Sequence, residues 1–381
     1  MASAMTAVNL FTINSDSGQR GEANLKLKNT LIVILLIAAT LAALAVLQRL
    51  VMPKYQTKLL EGGLIADYYQ EPVKDHDVIF VGDCEVYEDF SPVTLWQDYG
   101  ITSYIRGSAQ QLIWHSYYIL EDTLRYEKPD VVVFNILSMK YGEPQSEAYN
   151  RMALDAMPLT STKLQAIQAS MMDHEEFLSY IFPLLRFHSR WSELDSEDFQ
   201  YLFRRNLITH NGYLMRVDVK PVTSKPTVKP LPDYSFAEKS WEYLDKMTEL
   251  CKNNDIDLIL VKAPSIYPHW YDEWDSQIVD YAEKNDLLFI NTLRLTEEIG
   301  IDYSTDTYDA GLHMNLSGAE KMSRYLGHIL ADGYGLADKR QDPALAASWA
   351  AKLTVYEQQK ADQLLELQTY GYLKAFRFES N

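Results

Sequence analysis

The longest apolar run in the chain is Thr30 to Leu47, TLIVILLIAATLAALAVL, eighteen residues without a charge. Gln48 and Arg49 interrupt it, and Leu50, Val51 and Met52 extend the apolar length to Pro53. About twenty apolar residues cross the hydrocarbon core of a bilayer as a helix. A cleaved leader has a shorter apolar region with a small-residue cleavage site close behind it. Residues 30–52 therefore read as a retained transmembrane anchor behind a tail of residues 1–29. Further along, the apolar runs become short. Asp77 to Gly82 (DVIFVG), Pro129 to Asn135 (PDVVVFN), Ile256 to Lys262 (IDLILVK) and the weaker Leu287 to Asn291 (LLFIN) have the length of buried strands. Helical periodicity fills the intervals over Gln110 to Tyr126, Trp241 to Asn253 and Trp274 to Asn285. Short continuous strands alternating with helices predict a parallel sheet covered on both faces, an α/β three-layer sandwich. In such sheets functional residues collect beyond the carboxyl ends of the strands. Those ends read Gly82-Asp83-Cys84, Asn135 and Lys262-Ala-Pro-Ser265, and the segment Lys262 to Trp270 (KAPSIYPHW) is expected to form a rim of the cleft.

Residues 142 to about 235 break the alternation. They are rich in aromatic and basic residues, as in Phe187-His188-Ser189-Arg190-Trp191, and end in the Pro- and Lys-rich stretch Val219 to Pro232. They predict a helical insertion closed by an extended linker. A further helix is expected from about Pro343 to Leu367. The organisation is thus a tail (1–29), an anchor (30–52), an α/β domain (75–337) carrying the insertion, and a helical C-terminal tail (338–381).

Charge narrows the function classes. With 35 Lys and Arg against 53 Asp and Glu, the net charge of −18 excludes a general nucleic-acid binder, which needs a basic surface to displace counterions from phosphates. Basic residues flank the apolar run equally, with Arg20, Lys26 and Lys28 before it and Arg49, Lys54 and Lys58 after it, so the positive-inside rule sets no orientation. The acidic bulk after a single span suggests a large domain outside the membrane. The two cysteines, Cys84 and Cys251, are too few and too far apart for a zinc ribbon or a disulfide framework. No cofactor or metal motif stands out.

Two segments carry chemistry. Val81 to Val86 (VGDCEV) places Cys84 at a strand's carboxyl end, where a following helix start favours a thiolate; the plain alternative is a buried free cysteine, such as Cys251 in its helix. Asp309 to Gly318 (DAGLHMNLSG) places His313 four residues after Asp309, just before a helix over Ser317 to Leu330. A carboxylate beside an imidazole fixes its tautomer and stabilises the imidazolium during proton transfer. The plain alternative is a surface or capping histidine. Trp270, Tyr271 and Trp274 have the faces to stack on sugar rings or the bulk to pack a core. Arg186, His188 and Arg190 suit either an acidic polymer or the neighbouring carboxylates.

These segments, in this order, resemble the SGNH/GDSL hydrolase superfamily over about residues 75 to 335. Gly82-Asp83-Cys84 stands where that family has Gly-Asp-Ser, with cysteine replacing serine. Gly107 in Tyr104 to Ala109 (YIRGSA) matches the glycine whose N–H serves the oxyanion hole, and Asn135 matches the asparagine that serves it with a side chain. Asp309 and His313 match the closing Asp-x-x-His block, one residue longer here, with Asp306 as a substitute acid. The resemblance implies an SGNH/flavodoxin-like fold, with Cys84 as nucleophile, His313 as base, Asp309 as orienter, and no cofactor. The anchor and aromatic insertion look like the tethered DltD and AlgX-like branch. That branch implies an extracytoplasmic acyltransferase or esterase at the cell membrane. It would act on a cell-surface glycan or similar polymer through an acyl-Cys intermediate, beside a membrane-bound O-acyltransferase. The competing expectation is a non-catalytic subunit that binds a glycan or scaffolds such an acyltransferase.

Overall fold

The computed structural model describes residues 4–51, 62–155, 157–194, 196–203, 209–224 and 227–376. The four expected apolar runs form strands: β1 (Val78–Gly82), β3 (Val131–Asn135), β4 (Asp257–Lys262) and β5 (Leu288–Asn291). A fifth strand, β2 (Ser103–Gly107), joins them at an edge. Pairing is parallel throughout, in the order β2-β1-β3-β4-β5. The hydrophobic pattern does not announce β2, because Ser103 and Arg106 interrupt it while both are fully buried. Arg106 is held inside the fold by polar and ring partners: its guanidinium donates to Thr123 Oγ1 and to the Tyr69 hydroxyl, each at 2.7 Å, and lies 3.9 Å over the Tyr68 ring. A buried charge persists only with such partners.

The principal helices are α1 (Ala4–Val51), α2 (Cys84–Asp89), α3 (Pro92–Tyr99), α4 (Ile113–Thr123), α5 (Glu238–Asn253), α6 (Asp272–Asn285), α7 (Leu316–His328) and α8 (Pro343–Tyr370). Successive strand residues point to opposite sheet faces, and the core divides accordingly. Ile79, Val81, Val132, Phe134, Leu258 and Leu260 pack with Ile113 and Leu120 of α4, Leu244 and Met247 of α5, and Ile278 of α6. Val78, Phe80, Val131, Val133, Ile259 and Val261 pack with Val86 of α2, Leu95 of α3, Met322 and Leu326 of α7, and Trp349 and Tyr356 of α8. The result is the expected three-layer α/β sandwich. Each fully buried Val, Ile, Leu or Phe contributes roughly 1.5–3 kcal/mol relative to exposure.

Contacts divide the chain into two compact units: Met1–Met52 with Phe182–Arg204, and Pro53–Ile181 with Arg205–Asn381. In the first, α1 contains Asn24–Val51, a segment of 28 residues that includes an 18-residue stretch of mean hydropathy 2.9, long and apolar enough to cross a membrane. The expected anchor overlaps it; Met52, the last anchor residue, lies outside the described residues. The insertion is thus shared between the units. Residues of its first part form short helices over Glu147–Asp155 and Ser161–Ser170 in the second unit, while Phe182–Arg204 belongs with α1. Arg190 there donates to Val51 O at 2.8 Å and pairs with Asp198 at 3.5 Å, which settles its choice between acidic polymer and local carboxylates in favour of the latter.

Two open readings can now be compared with the fold. Trp270 and Trp274 are buried and pack on Phe236, with the Trp270 indole donating to Asp275 at 3.1 Å, in keeping with the packing alternative. Of the segment Lys262 to Trp270, Lys262 and Ser265 are fully buried, whereas Ile266 and His269 line a cavity of about 780 Å³. Cys251 is buried on α5, as its helical setting implied.

Candidate active site

The sheet order reverses at β1, which has β2 on one side and β3 on the other; the crevice beyond the strand ends at such a point is where doubly wound sheets bind ligands. Gly82 and Gly107 are cross-strand partners there. A Cβ on Gly107 would stand 2.4 Å from Val86 Cγ2 and 3.1 Å from the carbonyl oxygens of Gly82 and Asp83. Only a glycine lets β2 approach the turn this closely. Asp83 then caps α2, its carboxylate accepting from the Glu85 N–H at 3.2 Å, and Cys84 is the first residue of the helix.

Behind this turn lies a polar group that the motifs did not reveal. Asn135, fully buried, donates from Nδ2 to Asp83 Oδ1 at 3.0 Å and to Glu85 Oε2 at 2.7 Å, while its Oδ1 accepts from Ala263 N at 3.2 Å. Glu85 also receives the Lys262 ammonium at 2.9 Å and the Ser265 hydroxyl. Both amide hydrogens of Asn135 are therefore committed to carboxylates. For Asn135 to serve an oxyanion, one of these bonds must open. The available signal was Lys262, a charge ending an otherwise apolar strand; Glu85 gave none, since a lone acid after a strand reads as solvated.

His313 arrives on the loop before α7. Asp309 accepts His313 Nδ1 at 2.7 Å with one oxygen, and the backbone N–H groups of His313 and Leu312 at 2.8 and 3.1 Å with the other. The extra residue between them is absorbed by a turn in which Ala310 and Gly311 have left-handed φ values of 68° and 95°. Asp306 takes no part: it holds Lys321 at 2.6 Å and the Ser317 hydroxyl at 2.8 Å, securing the start of α7. His313 Nδ1 also faces Glu88 Oε2 at 3.4 Å and the Tyr308 hydroxyl at 3.3 Å. Its Nε2 is buried without a hydrogen-bond partner, and the Cys84 thiol is among the groups that interact with the ring.

The electrostatics differ from the expected thiolate. Burial pushes the Cys84 thiol up to about 12, with Asp83 and Glu88 adding to the effect and His313 opposing it. A helix of six residues does not offset this desolvation. Burial alone would lower the His313 pKa, but Glu88 first, then Cys84 and Asp309, hold it well above the ordinary imidazole value. Burial and Glu85 raise Asp83 to about 7, and burial raises Asp89 well above the ordinary carboxylate range. Lys140, just after β3, is lowered to about 8 by burial, and the charges of Asp83, Glu85 and Cys84 reach it. Its ammonium lies 4.5 Å over the Tyr141 ring, and the two residues line a cavity of about 620 Å³ with Gln145 and Trp274. Sequence reading missed Lys140 because nothing distinguishes it from a surface lysine. Among the described residues no His, Cys, Asp and Glu cluster is arranged to hold a metal.

No family model and no curated protein matches the chain. Three solved structures are similar to it. A lipolytic protein of the G-D-S-L family from Desulfitobacterium hafniense is 13% identical, covering 68% of this chain and 100% of that one at a TM-score of 0.32. An acylhydrolase from Bacteroides fragilis is 11% identical over 69% and 89%, TM-score 0.33. A GDSL-like lipase from Bacteroides thetaiotaomicron is 14% identical over 71% and 99%, TM-score 0.32. Likeness at this level carries no argument about function, which rests on the geometry above.

Proposed function

We propose that this protein is an acyl-transfer enzyme of the SGNH/GDSL type in which Cys84 replaces the usual serine. One observation carries the reading: a cysteine and a histidine–aspartate pair far apart in sequence meet at the reversal point of a parallel sheet, with Asp309 2.7 Å from His313 Nδ1 and the Cys84 thiol near enough to interact with the ring. In the reaction His313 Nε2 takes the Cys84 proton as sulfur attacks an ester carbonyl, then returns it to the leaving alkoxide. The resulting thioester is released by water or by an acceptor hydroxyl. Asp309 fixes the Nδ1–H tautomer throughout. The backbone N–H of Gly107 is the proposed oxyanion donor, with Asn135 joining it when one of its bonds to Asp83 or Glu85 opens. Donors of this kind are each worth on the order of 3 kcal/mol of barrier.

The membrane anchor and the natural reaction form the finer part of the proposal. An N-terminal apolar helix supports a tethered enzyme, with residues 54–381 extracytoplasmic. A cell-surface glycan as acceptor and a membrane-bound O-acyltransferase as donor partner follow from the sequence resemblance. One observation favours a second reading, a non-catalytic binding subunit: the thiol is held protonated beside a protonated imidazole. Full-length protein in detergent, mixed with p-nitrophenyl acetate at pH 9, separates the two. The enzyme gains an acetyl group on Cys84 by intact mass and turns over; Cys84→Ala does neither. Equal turnover by Cys84→Ala would remove Cys84 from the chemistry.

A further inference from the structure

We propose that Glu88 is a positioning residue for His313, a second carboxylate that shares the Nδ1 proton with Asp309 and ties the base to the nucleophile's own helix. Glu88 lies four residues after Cys84 on α2, one helical turn along the same face. Its Oε2 stands 3.4 Å from His313 Nδ1, against 2.7 Å for Asp309 Oδ2. Both Glu88 and His313 are buried, so solvent screens the pair little. Tyr308 donates its hydroxyl to Glu88 and lays its ring along the imidazole, centroids 6.0 Å apart at 16°. The next residue, Asp89, accepts the Met314 N–H at 2.8 Å. Consecutive acids of α2 thus grip consecutive residues of the histidine loop.

Asp309 belongs to the same loop as His313 and moves with it. Glu88 does not, so it alone among the two acids sets the distance between imidazole and thiol. The groups facing the ring are Glu88, Asp89 and Cys84 from α2 and Tyr308 and Asp309 from its own loop. Among them Glu88 is the largest charge holding a proton on His313. If Asp309 loses its charge, a shift of under 1 Å by Glu88 restores a full hydrogen bond to Nδ1.

The inference rests on His313 acting as base at Cys84, but its first test does not. In full-length protein in detergent, the His313 ring nitrogens are titrated by 15N NMR and identified by their loss in His313→Asn. Glu88→Gln, which preserves shape, should lower the His313 midpoint by about one pH unit or more, as removal of a close buried charge does. Asp309→Asn should leave His313 protonated near neutrality. A midpoint unmoved in Glu88→Gln overturns the proposal even if the chain proves to have no esterase activity. With activity present, each single variant should lose about tenfold or less, and the double variant far more than the product of the two, as redundant partners of one proton require. Independent, multiplicative losses would also overturn it. Unchanged melting of Glu88→Gln shows that the effect is not unfolding.

Discussion

Asp83, Glu85, Glu88, Asp89 and Asp309 crowd around one thiol and one imidazole, and that crowding determines the pH at which the site works. A negative surround keeps protons on both groups. His313 holds its proton above its ordinary titration near 6.5, so the neutral base accumulates only as pH rises beyond that range. Turnover should therefore keep climbing past pH 8 and not level off near 7, the plateau of an unperturbed imidazole. Alkylation of Cys84 by iodoacetamide, followed by peptide mass analysis, should be slow at pH 7.5 and accelerate through pH 9 to 11, because burial carries the thiol to about 12. A rate that plateaus by pH 8 would show a thiolate site and contradict this. The sequence showed the groups we propose to react and hid their environment. Cys84, His313 and Asp309 lie in recognisable order, whereas Glu85, Glu88, Asp89 and Lys262 look like solvated charges until the fold buries them together. Burial of a charge is set by tertiary partners, which a local pattern does not contain.

Strands with unbroken Val, Ile, Leu and Phe were legible, as were the helices that follow them, because each repeats one period over its whole length. The exceptions have separate causes. β2 carries a buried arginine, and α2 spans only Cys84–Asp89, too short to display a helical period. The four-residue spacing from Asp309 to His313 looked like a defect, yet Ala310 and Gly311 take left-handed backbone that folds the extra residue back. At the contact between β2 and α2, substitution measures how tightly these elements meet. Gly107→Ala drives a methyl against Val86 Cγ2, 2.4 Å away at the ideal position, and against two carbonyls. The expected loss is about 1–3 kcal/mol, typical of overpacking, read as a lower melting temperature. Adding Val86→Ala should recover part of it. If the double variant melts where the two single losses add, the contact is not what excludes a side chain at 107.

At the scale of the whole chain, two compact units are joined through segments entering at residues 53, 182 and 205. For the topology we propose, protease added to intact cells should digest residues beyond the anchor and leave a short membrane-bound stub. Protection until lysis would place the large unit inside and remove a cell-surface substrate from consideration. The apolar segment was plain from its length, whereas the association of Phe182–Arg204 with α1 was not, since contacts between distant segments leave no local period. One further feature bears on how the molecule is made. α8 closes a sheet face near the end of the chain: Trp349 stacks on Trp96 at 5.2 Å, Lys352 pairs with Glu71 at 2.8 Å, and Gln363 donates to Met215 O at 2.9 Å. Until α8 leaves the ribosome that face is covered only in part, by α2, α3 and α7, and Glu71 lacks its Lys352 partner. The apolar segment emerges earlier by about 15–60 s at synthesis rates of about 5–20 residues per second. For the anchored topology we propose, insertion precedes folding, and the sheet matures as a tethered, partly covered intermediate whose exposure to chaperones and proteases ends only when α8 docks.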